Sequence, residues 1–365
     1  MTQQGRTVAV VGGGYGGAAV AKALDEHADV VLIEPKDAFV NAAGALRALT
    51  RPEEWAERVF FPYDGILKRG VHRREYAAGV DPQGVTLASG ERVEADYIVL
   101  ATGSGYPYPA KTRTDSTAEA LAHFKETHAE LAGAERVLIA GAGPVGLELA
   151  GEIRDVWADK RITVVAPSAE LVPGYEPALR AELERQLAAL GIEVRLGAGL
   201  DAEPDVEPGR AGEVRASVGG EVIEADIWFR AYGATTNSGF LGDALAPLNG
   251  RGQLPVGPKL NVEGHERVYA VGDLTGVPEE KRAGAASRHA AVVADNIIAQ
   301  LNGEAPVQEY HPSPARVMLL PLGPVYGVGQ IPGEDGPGIM PTETVAEWKG
   351  RDLMHGRFAA MFGTA

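Results

Sequence analysis

Two glycine series, each placed directly after an apolar run, are the residues of this chain best suited to hold a charged cofactor. The first reads Val8-Ala9-Val10-Val11-Gly12-Gly13-Gly14-Tyr15-Gly16-Gly17 and the second Val137-Leu138-Ile139-Ala140-Gly141-Ala142-Gly143-Pro144-Val145-Gly146. In each, the first glycine (Gly12, Gly141) permits a tight turn and the second (Gly14, Gly143) lets a pyrophosphate approach the backbone. The third (Gly17, Gly146) allows close packing of helix on strand. Unpaired N–H groups at the helix start can then bind phosphate oxygens. Two such turns in one chain imply two dinucleotide folds and electron passage between two bound cofactors.

Glu34 lies twenty residues beyond Gly14, at the end of the next strand, where a carboxylate accepts hydrogen bonds from ribose hydroxyls. Its alternative is an exposed charge at a strand end. The equivalent strand after the second series ends Val164-Val165-Ala166-Pro167-Ser168 and carries no carboxylate, which weakens a preference for NADH. Ser168 can bind a phosphate oxygen or a ribose hydroxyl, yet no arginine adjoins it, so NADH and NADPH both stay open. Glu148, two residues past Gly146, is placed to face the cleft and accept a nicotinamide amide N–H. The competing account is that a carboxylate is favoured in the first turns of any helix. Glu152 follows one turn later on the same side and reads as a surface charge.

The chain contains no cysteine. A disulfide, an iron–sulfur cluster and a dithiol relay are thereby excluded, so any bound flavin must pass electrons directly to its acceptor. His289 falls in an apolar helix, His311 and His355 are isolated, and none has zinc-ligand spacing with a neighbour. Packing or solvent accounts for all three. The aromatic residues form no stacking ladder suited to nucleic acid.

The elements that must position these groups follow from apolar periodicity. Thr7–Val11 reads as a buried parallel strand, followed by a helix to about Glu26 and a strand over Asp29–Ile33. Ala42–Arg58 has mixed helical character, Phe60–Gly70 is turn-rich, and Val71–Val99 suggests antiparallel hairpin pieces feeding a core strand at Tyr97–Leu100. A second βαβ unit comprises strand Arg136–Ile139, a helix over Pro144–Trp157 and strand Ile162–Val165. A helix over Glu176–Leu190 and strands at Ile192–Leu196 and Asp226–Phe229 complete it. Arg267–Val271 then leads into Gly272-Asp273, and a helix spans Ala283–Leu301. The fold class is therefore α/β, with two Rossmann-like domains, the second inserted in the first, plus a small α+β C-terminal module. Residues 1–115 and 236–304 form the discontinuous domain, 116–235 the inserted one, and 305–365 a separate packed module.

A chain of 365 residues exceeds the size at which one core usually stays single. Its 34 basic and 50 acidic residues give a net charge of −16 with no dense Lys/Arg block, which disfavours nucleic acid and anionic membrane as partners. The opening Met1–Arg6 runs straight into an apolar strand and does not read as a secretory signal. Thr2 excludes the myristoylation pattern. No run reaches transmembrane length, and a soluble cytoplasmic protein is expected.

The chain resembles the flavoproteins with two dinucleotide-binding domains. Within them it is similar to the apoptosis-inducing-factor-like NAD(P)H:quinone oxidoreductases related to ferroptosis suppressor protein. The likeness rests on Val10–Gly17, Lys36-Asp37-Ala38-Phe39, Ala45-Leu46-Arg47-Ala48 and Leu100-Ala101-Thr102-Gly103-Ser104. It extends to the Val262–Asp273 block and to Gly327-Val328-Gly329-Gln330-Ile331. The resemblance implies FAD in the first fold and NADH or NADPH in the inserted one. Gly12, Gly14, Tyr15, Gly16 and Gly17 would surround the FAD pyrophosphate, and Glu34, Pro35 and Lys36 the adenosine end. Ala101, Thr102 and Gly103 would lie beneath the cofactor, and Arg47 near phosphate or flavin. Gly272-Asp273 would bond the ribityl or pyrophosphate region. Gly141, Gly143, Pro144, Val145 and Gly146 would cradle the pyridine nucleotide. Lys281 would support negative charge on the reduced flavin, its alternative being to solvate a helix entrance; Tyr326–Gln330 would complete the pocket or simply pack.

Two departures stand out: Asn41 occupies a segment where relatives often carry histidine, and Tyr232-Gly233 replaces a more usual Thr-Gly. The resemblance implies a small-molecule acceptor, a quinone or a related conjugated compound, without integral membrane association, and a homodimer as the assembly common among such scaffolds. Glu148 and Lys281 are the side chains expected to position or stabilise charge in the reaction. Three other readings stay open: a reductase coupled to a small carrier protein, a biosynthetic flavin oxidase, and a flavin-dependent interaction protein.

Overall fold

The computed structural model describes residues 5–242, 244–313, 316–333 and 336–364. Two five-stranded sheets organise it. In the first, parallel strands run in the order Val268–Ala270, Tyr97–Leu100, Thr7–Val11, Asp29–Ile33, Val71–Arg73. Val8, Ala9 and Val10 in the central strand are fully buried, as a strand covered on both faces requires. In the second, Ile192–Leu196, Arg161–Ala166, Arg136–Ala140 and Glu221–Arg230 are parallel, and Ala211–Val218 closes the edge antiparallel. The first sheet thus takes strands from both sides of the second in the sequence. Where the chain crosses between them, Ser104–Gly105 and Thr235–Thr236 pair antiparallel.

The two glycine turns have the same construction. Gly12 and Gly141 sit at φ +102° and +117°, a left-handed region closed to most side chains. A Cβ on Gly17 would stand 1.8 Å from the Gly12 carbonyl oxygen, and one on Gly146 would stand 1.9 Å from that of Gly141. Those third glycines are what let the helices Tyr15–Leu24 and Pro144–Val156 close on their strands. Gly14 and Gly143 have open space beside them.

One expectation is corrected. Val71–Arg73 is not a hairpin piece: Val31 pairs with Val71, so it forms the parallel edge of the main sheet, and the antiparallel meander begins only at Ala77–Asp81. A three-residue edge strand is too short to display a period. The residues after 305 form the additional α+β module, and it is seated against both folds. Met318–Leu322, Tyr326–Gly333 and Gly336–Met340 form an antiparallel sheet that packs on the second fold. A Cβ on Gly151 would meet Leu322 Cα at 2.5 Å, and Gln186 pairs with the Gly327 backbone through both its amide atoms, at 2.7 and 3.0 Å. The helix His355–Phe362 instead enters the core of the first fold, where Phe362 stacks on Phe39 at 5.0 Å and lies 5.5 Å from Phe61. The tail straddles both folds because its strands and its terminal helix each present one apolar face, and each face finds a different core.

Candidate active site

Both helices that follow the glycine turns start without a side-chain cap and without an acidic residue in the first turn. By contrast, the helix Thr117–Gly133 is capped by Ser116, whose hydroxyl accepts from Glu119 N–H. Orphan N–H groups beside an open glycine are the donor set a pyrophosphate needs, so both turns fit a dinucleotide. Pro144, at the first helical position, loses no donor the helix would use, and Val145 follows half-buried.

Around the first turn, Glu34 is 9 % exposed and lies against the loop, where Oε2 accepts from Gly13 N–H at 2.7 Å and Oε1 from Lys36 N–H at 3.1 Å. The Pro35 carbonyl accepts from Arg74, and Lys36 Nζ pairs with Asp115 at 3.0 Å. The strand Tyr97–Leu100 delivers Ala101, whose N–H donates to Val11, and then Thr102. Thr102 exchanges two bonds with Asn237 at 2.7 and 3.0 Å. Gly103 takes the left-handed conformation, φ +63°, with open space beside it. Asp273 follows Gly272 in a short 3-10 turn and accepts from Ser104 Oγ at 2.6 Å. Lys281 lies close by, its Nζ donating to the Thr275 and Val277 carbonyls, both at 2.8 Å. Burial pulls its ammonium below the usual range, against the attraction of Glu279 and Asp273. The carbonyl bonds tie it to its own loop, in place of a purely solvated helix entrance.

The helix of the second turn meets the first fold through Glu152, which pairs with Arg47, and Glu148 lies one turn nearer the glycines. The Glu148 carboxylate is one turn into its helix and forms an ion pair with Lys349 at 2.7 Å, the two side chains 12 % and 18 % exposed. Its field also reaches Tyr15, the first residue of the first-fold helix. Burial pushes the Tyr15 phenol up to about 12, with Glu148 adding to the effect. The phenol donates to Asn41 Oδ1 at 3.0 Å and accepts from Ala43 N–H at 3.2 Å. Asn41 in turn donates to the Leu353 carbonyl at 2.8 Å.

Two expectations fail here. Glu152 is no surface charge: its side chain and that of Arg47 are each 3 % exposed and paired. Arg47 accordingly does not offer its guanidinium to a phosphate. It makes a two-bonded pair with Glu152 at 2.7 and 2.9 Å and donates to the Gly350 and Arg351 carbonyls at 2.7 and 3.0 Å. Burial raises the Glu152 carboxyl above its usual range while Arg47 pulls the other way. Tyr326 is exposed on the tail sheet and Gln330 is buried, its amide bridging the Glu176 N–H and the Arg316 carbonyl.

Lys349 and Lys111 escape the motif search, and Ser104 ends the Leu100–Ser104 block without being given a role there. Lys349 sits in a π-helical turn, Ala346–Gly350, a geometry common at functional sites, but an isolated lysine in a tail carries no sequence signal. Lys111 donates to the Ser104 carbonyl, and its ammonium, drawn down by burial, is acted on by the charges of Asp273, Lys36 and Glu34; only the folded chain brings these groups near one another.

Comparison with known proteins decides the family. The profile of the pyridine nucleotide-disulphide oxidoreductases matches residues 6–292. The chain belongs to that family. Apoptosis-inducing factor homolog B of Dictyostelium discoideum is 30 % identical over 352 residues, covering 91 % of each chain. Human ferroptosis suppressor protein 1 is 31 % identical over 335 residues, covering 89 % of this chain and 88 % of its own. Among solved structures, the sulfide:quinone oxidoreductase of Aquifex aeolicus superposes with a TM-score of 0.76 at 18 % identity, covering 98 % of this chain and 92 % of that one. Family and fold together mark the protein as a catalytic NAD(P)H- and FAD-dependent oxidoreductase. The family name's disulphide has no counterpart here, since the chain has no cysteine. Among the described residues, no helix is long and apolar enough to cross a membrane.

Proposed function

We propose that the first glycine turn holds FAD and the second NADH or NADPH, and that the enzyme reduces a quinone or related conjugated organic acceptor. The observation that carries this reading is the seam between the two glycine-turn helices: Tyr15, the first residue of the first, accepts from Ala43 N–H just before the helix Ala45–Thr50, and Arg47 of that helix pairs with Glu152, one turn past Glu148 in the second. Two dinucleotides seated on these turns would meet in the cleft between the folds. The flavin, when bound, supplies the capacity to take a hydride from the nicotinamide and to release electrons to the acceptor.

The protein's part is placement and charge. Gly12, Gly14, Gly16 and Gly17 leave the backbone donors of the first turn open to the FAD pyrophosphate. Glu34 would exchange its bond to Gly13 for ribose hydroxyls, and Asp273, steadied by Ser104, would take the ribityl end. Gly141, Gly143 and Gly146 repeat the cradle for the pyridine nucleotide. Glu148 would orient the nicotinamide amide, and Lys349, paired with Glu148 at 2.7 Å, would hold that carboxylate in place at the cleft. Lys281 and Lys111 offset negative charge at the flavin end. With no thiol to relay electrons, the acceptor must reach the flavin itself, which favours a planar conjugated molecule.

Anaerobic stopped-flow mixing of the flavin-loaded protein with NADH and NADPH in parallel tests the reading, followed by a panel of soluble quinones. Loss of the oxidised-flavin absorbance with at least one donor, and its return with a quinone, is the expected result. A flavin that stays oxidised with both donors would refute it.

A further inference from the structure

His289 reads as a packing residue in the sequence, and the structure assigns it a directed contact. The helix Ala283–Leu301 buries it to 1 % exposure, and its Nδ1 accepts the Gly272 N–H at 3.0 Å. On the other side of the ring, Nε2 stands 2.8 Å from Glu279 Oε1, with a side chain 8 % exposed. Among the described residues neither of these two buried atoms has another hydrogen-bond partner, and their mutual alignment falls short of a regular hydrogen bond. Glu279 Oε2 accepts from Tyr310 OH at 2.6 Å, the Tyr310 ring packs edge-on to the imidazole at 4.2 Å, and Arg288 Nη2 donates to the same hydroxyl at 3.2 Å. The chain of contacts therefore runs Tyr310, Glu279, His289, Gly272, and it stops at the residue beside Asp273.

The direction of the protons is determined. Gly272 N–H can only donate, so Nδ1 must be bare. Glu279, accepting from Tyr310 and facing Nε2, calls for the ring's proton on that nitrogen. Gly272 itself needs this support: at φ +68° it turns the backbone through a left-handed step, and its N–H is buried where no water could replace the lost acceptor. Burial draws the imidazole down to about 4, with Glu279 acting against the shift and Lys281 and Arg288 adding to it.

We propose that His289 is a positioning residue for the cofactor: as the Nε2–H tautomer that the Gly272 N–H requires, with Glu279 facing Nε2, it holds the Gly272 N–H and so presets the turn that carries Asp273. This rests on the reading of Gly272-Asp273 as part of the FAD site. Losing the acceptor leaves the turn in several conformations, and cofactor affinity falls by the fraction still competent to bind.

The test compares His289→Leu, which removes the acceptor, with His289→Asn, whose Oδ1 can take the place of Nδ1. FAD dissociation constants are measured by flavin fluorescence on stripped, refilled protein, and thermal melting is followed on the same stripped samples. The expected result is a rise of about tenfold or more for the leucine variant and recovery to within about threefold for asparagine. Equal FAD affinity in wild type and leucine variant would overturn the proposal, as would melting loss shared by both variants with unchanged FAD affinity. A wild type that binds no FAD would instead sink the functional reading. Should the leucine variant not fold, nitrogen-15 spectra of the flavin-loaded wild type decide, with the His289 signal assigned by its absence in the asparagine variant. Nδ1 bare and Nε2 protonated sustains the proposal; the reverse tautomer overturns it.

Discussion

Arg47 and Glu152 show how far one pair of charges can be misjudged from a helix pattern. Spacing places Glu152 on the Glu148 side of its helix but says nothing of what covers that side, and its partner lies 105 residues away. Replacing Arg47 with methionine strands a buried carboxylate, and a stability loss of about 3–5 kcal/mol is expected. Urea unfolding checks this, and adding Glu152→Leu should restore a large part of the loss. His289 supplies a second prediction with a defined sign. Its proton binds more readily in the unfolded chain, so its contribution is fully present above about pH 6.5 and is lost as pH falls toward about 4. The shift corresponds to at most on the order of 3 kcal/mol at ~1.36 kcal/mol per unit. Wild type should lose more of its urea midpoint between about pH 7 and about pH 4.5 than His289→Asn does.

At the scale of elements, the two glycine turns invite separate disruption. A Cβ on Gly17 would press the Gly12 carbonyl and one on Gly146 that of Gly141, in both cases backbone that cannot swing aside. Gly17→Ala should release flavin from the purified protein. Gly146→Ala should leave flavin in place and weaken NADH and NADPH alike, each by a cost of about 1–3 kcal/mol. Absorbance at the flavin band and nucleotide titration distinguish the two. These turns could be read from the chain because their requirements are local: strand, glycine spacing and helix follow one another within a few residues. Most of the long helices and core strands were legible for the same reason. Lys349 was not, since nothing adjacent to it in the chain marks its meeting with Glu148, and the block that ends in Ser104 does not state that its hydroxyl meets Asp273. The strands of the tail were visible as apolar segments, yet alternation states only that a face is buried and not which fold buries it.

On the scale of the whole molecule, residues after 305 act as a brace across both folds. Lys349 reaches Glu148, the Gly350 and Arg351 carbonyls receive Arg47, and the Leu353 carbonyl receives Asn41. Phe362→Ala should therefore destabilise the first fold by about 3–5 kcal/mol, although the substitution lies in a different part of the sequence. Hydrogen exchange would show the loss in the Thr7–Val11 and Asp29–Ile33 strands as well as in the helix itself. Lys349→Met should slow flavin reduction and cost less in unfolding than Arg47→Met, because its ion pair is less deeply buried, 12 % and 18 % exposed against 3 % for each partner of Arg47–Glu152.

The aromatic helix that seals Phe39 and Phe61 also imposes an order in time. Asn41 and the Leu353 carbonyl that it binds are 312 positions apart, so the socket leaves the ribosome long before its plug. At a synthesis rate of ~5–20 residues per second, that interval lasts roughly 15–60 s. Throughout it the nascent amino-terminal half carries an unfilled greasy hollow, a natural point for chaperone capture and the step at which overproduction should aggregate first.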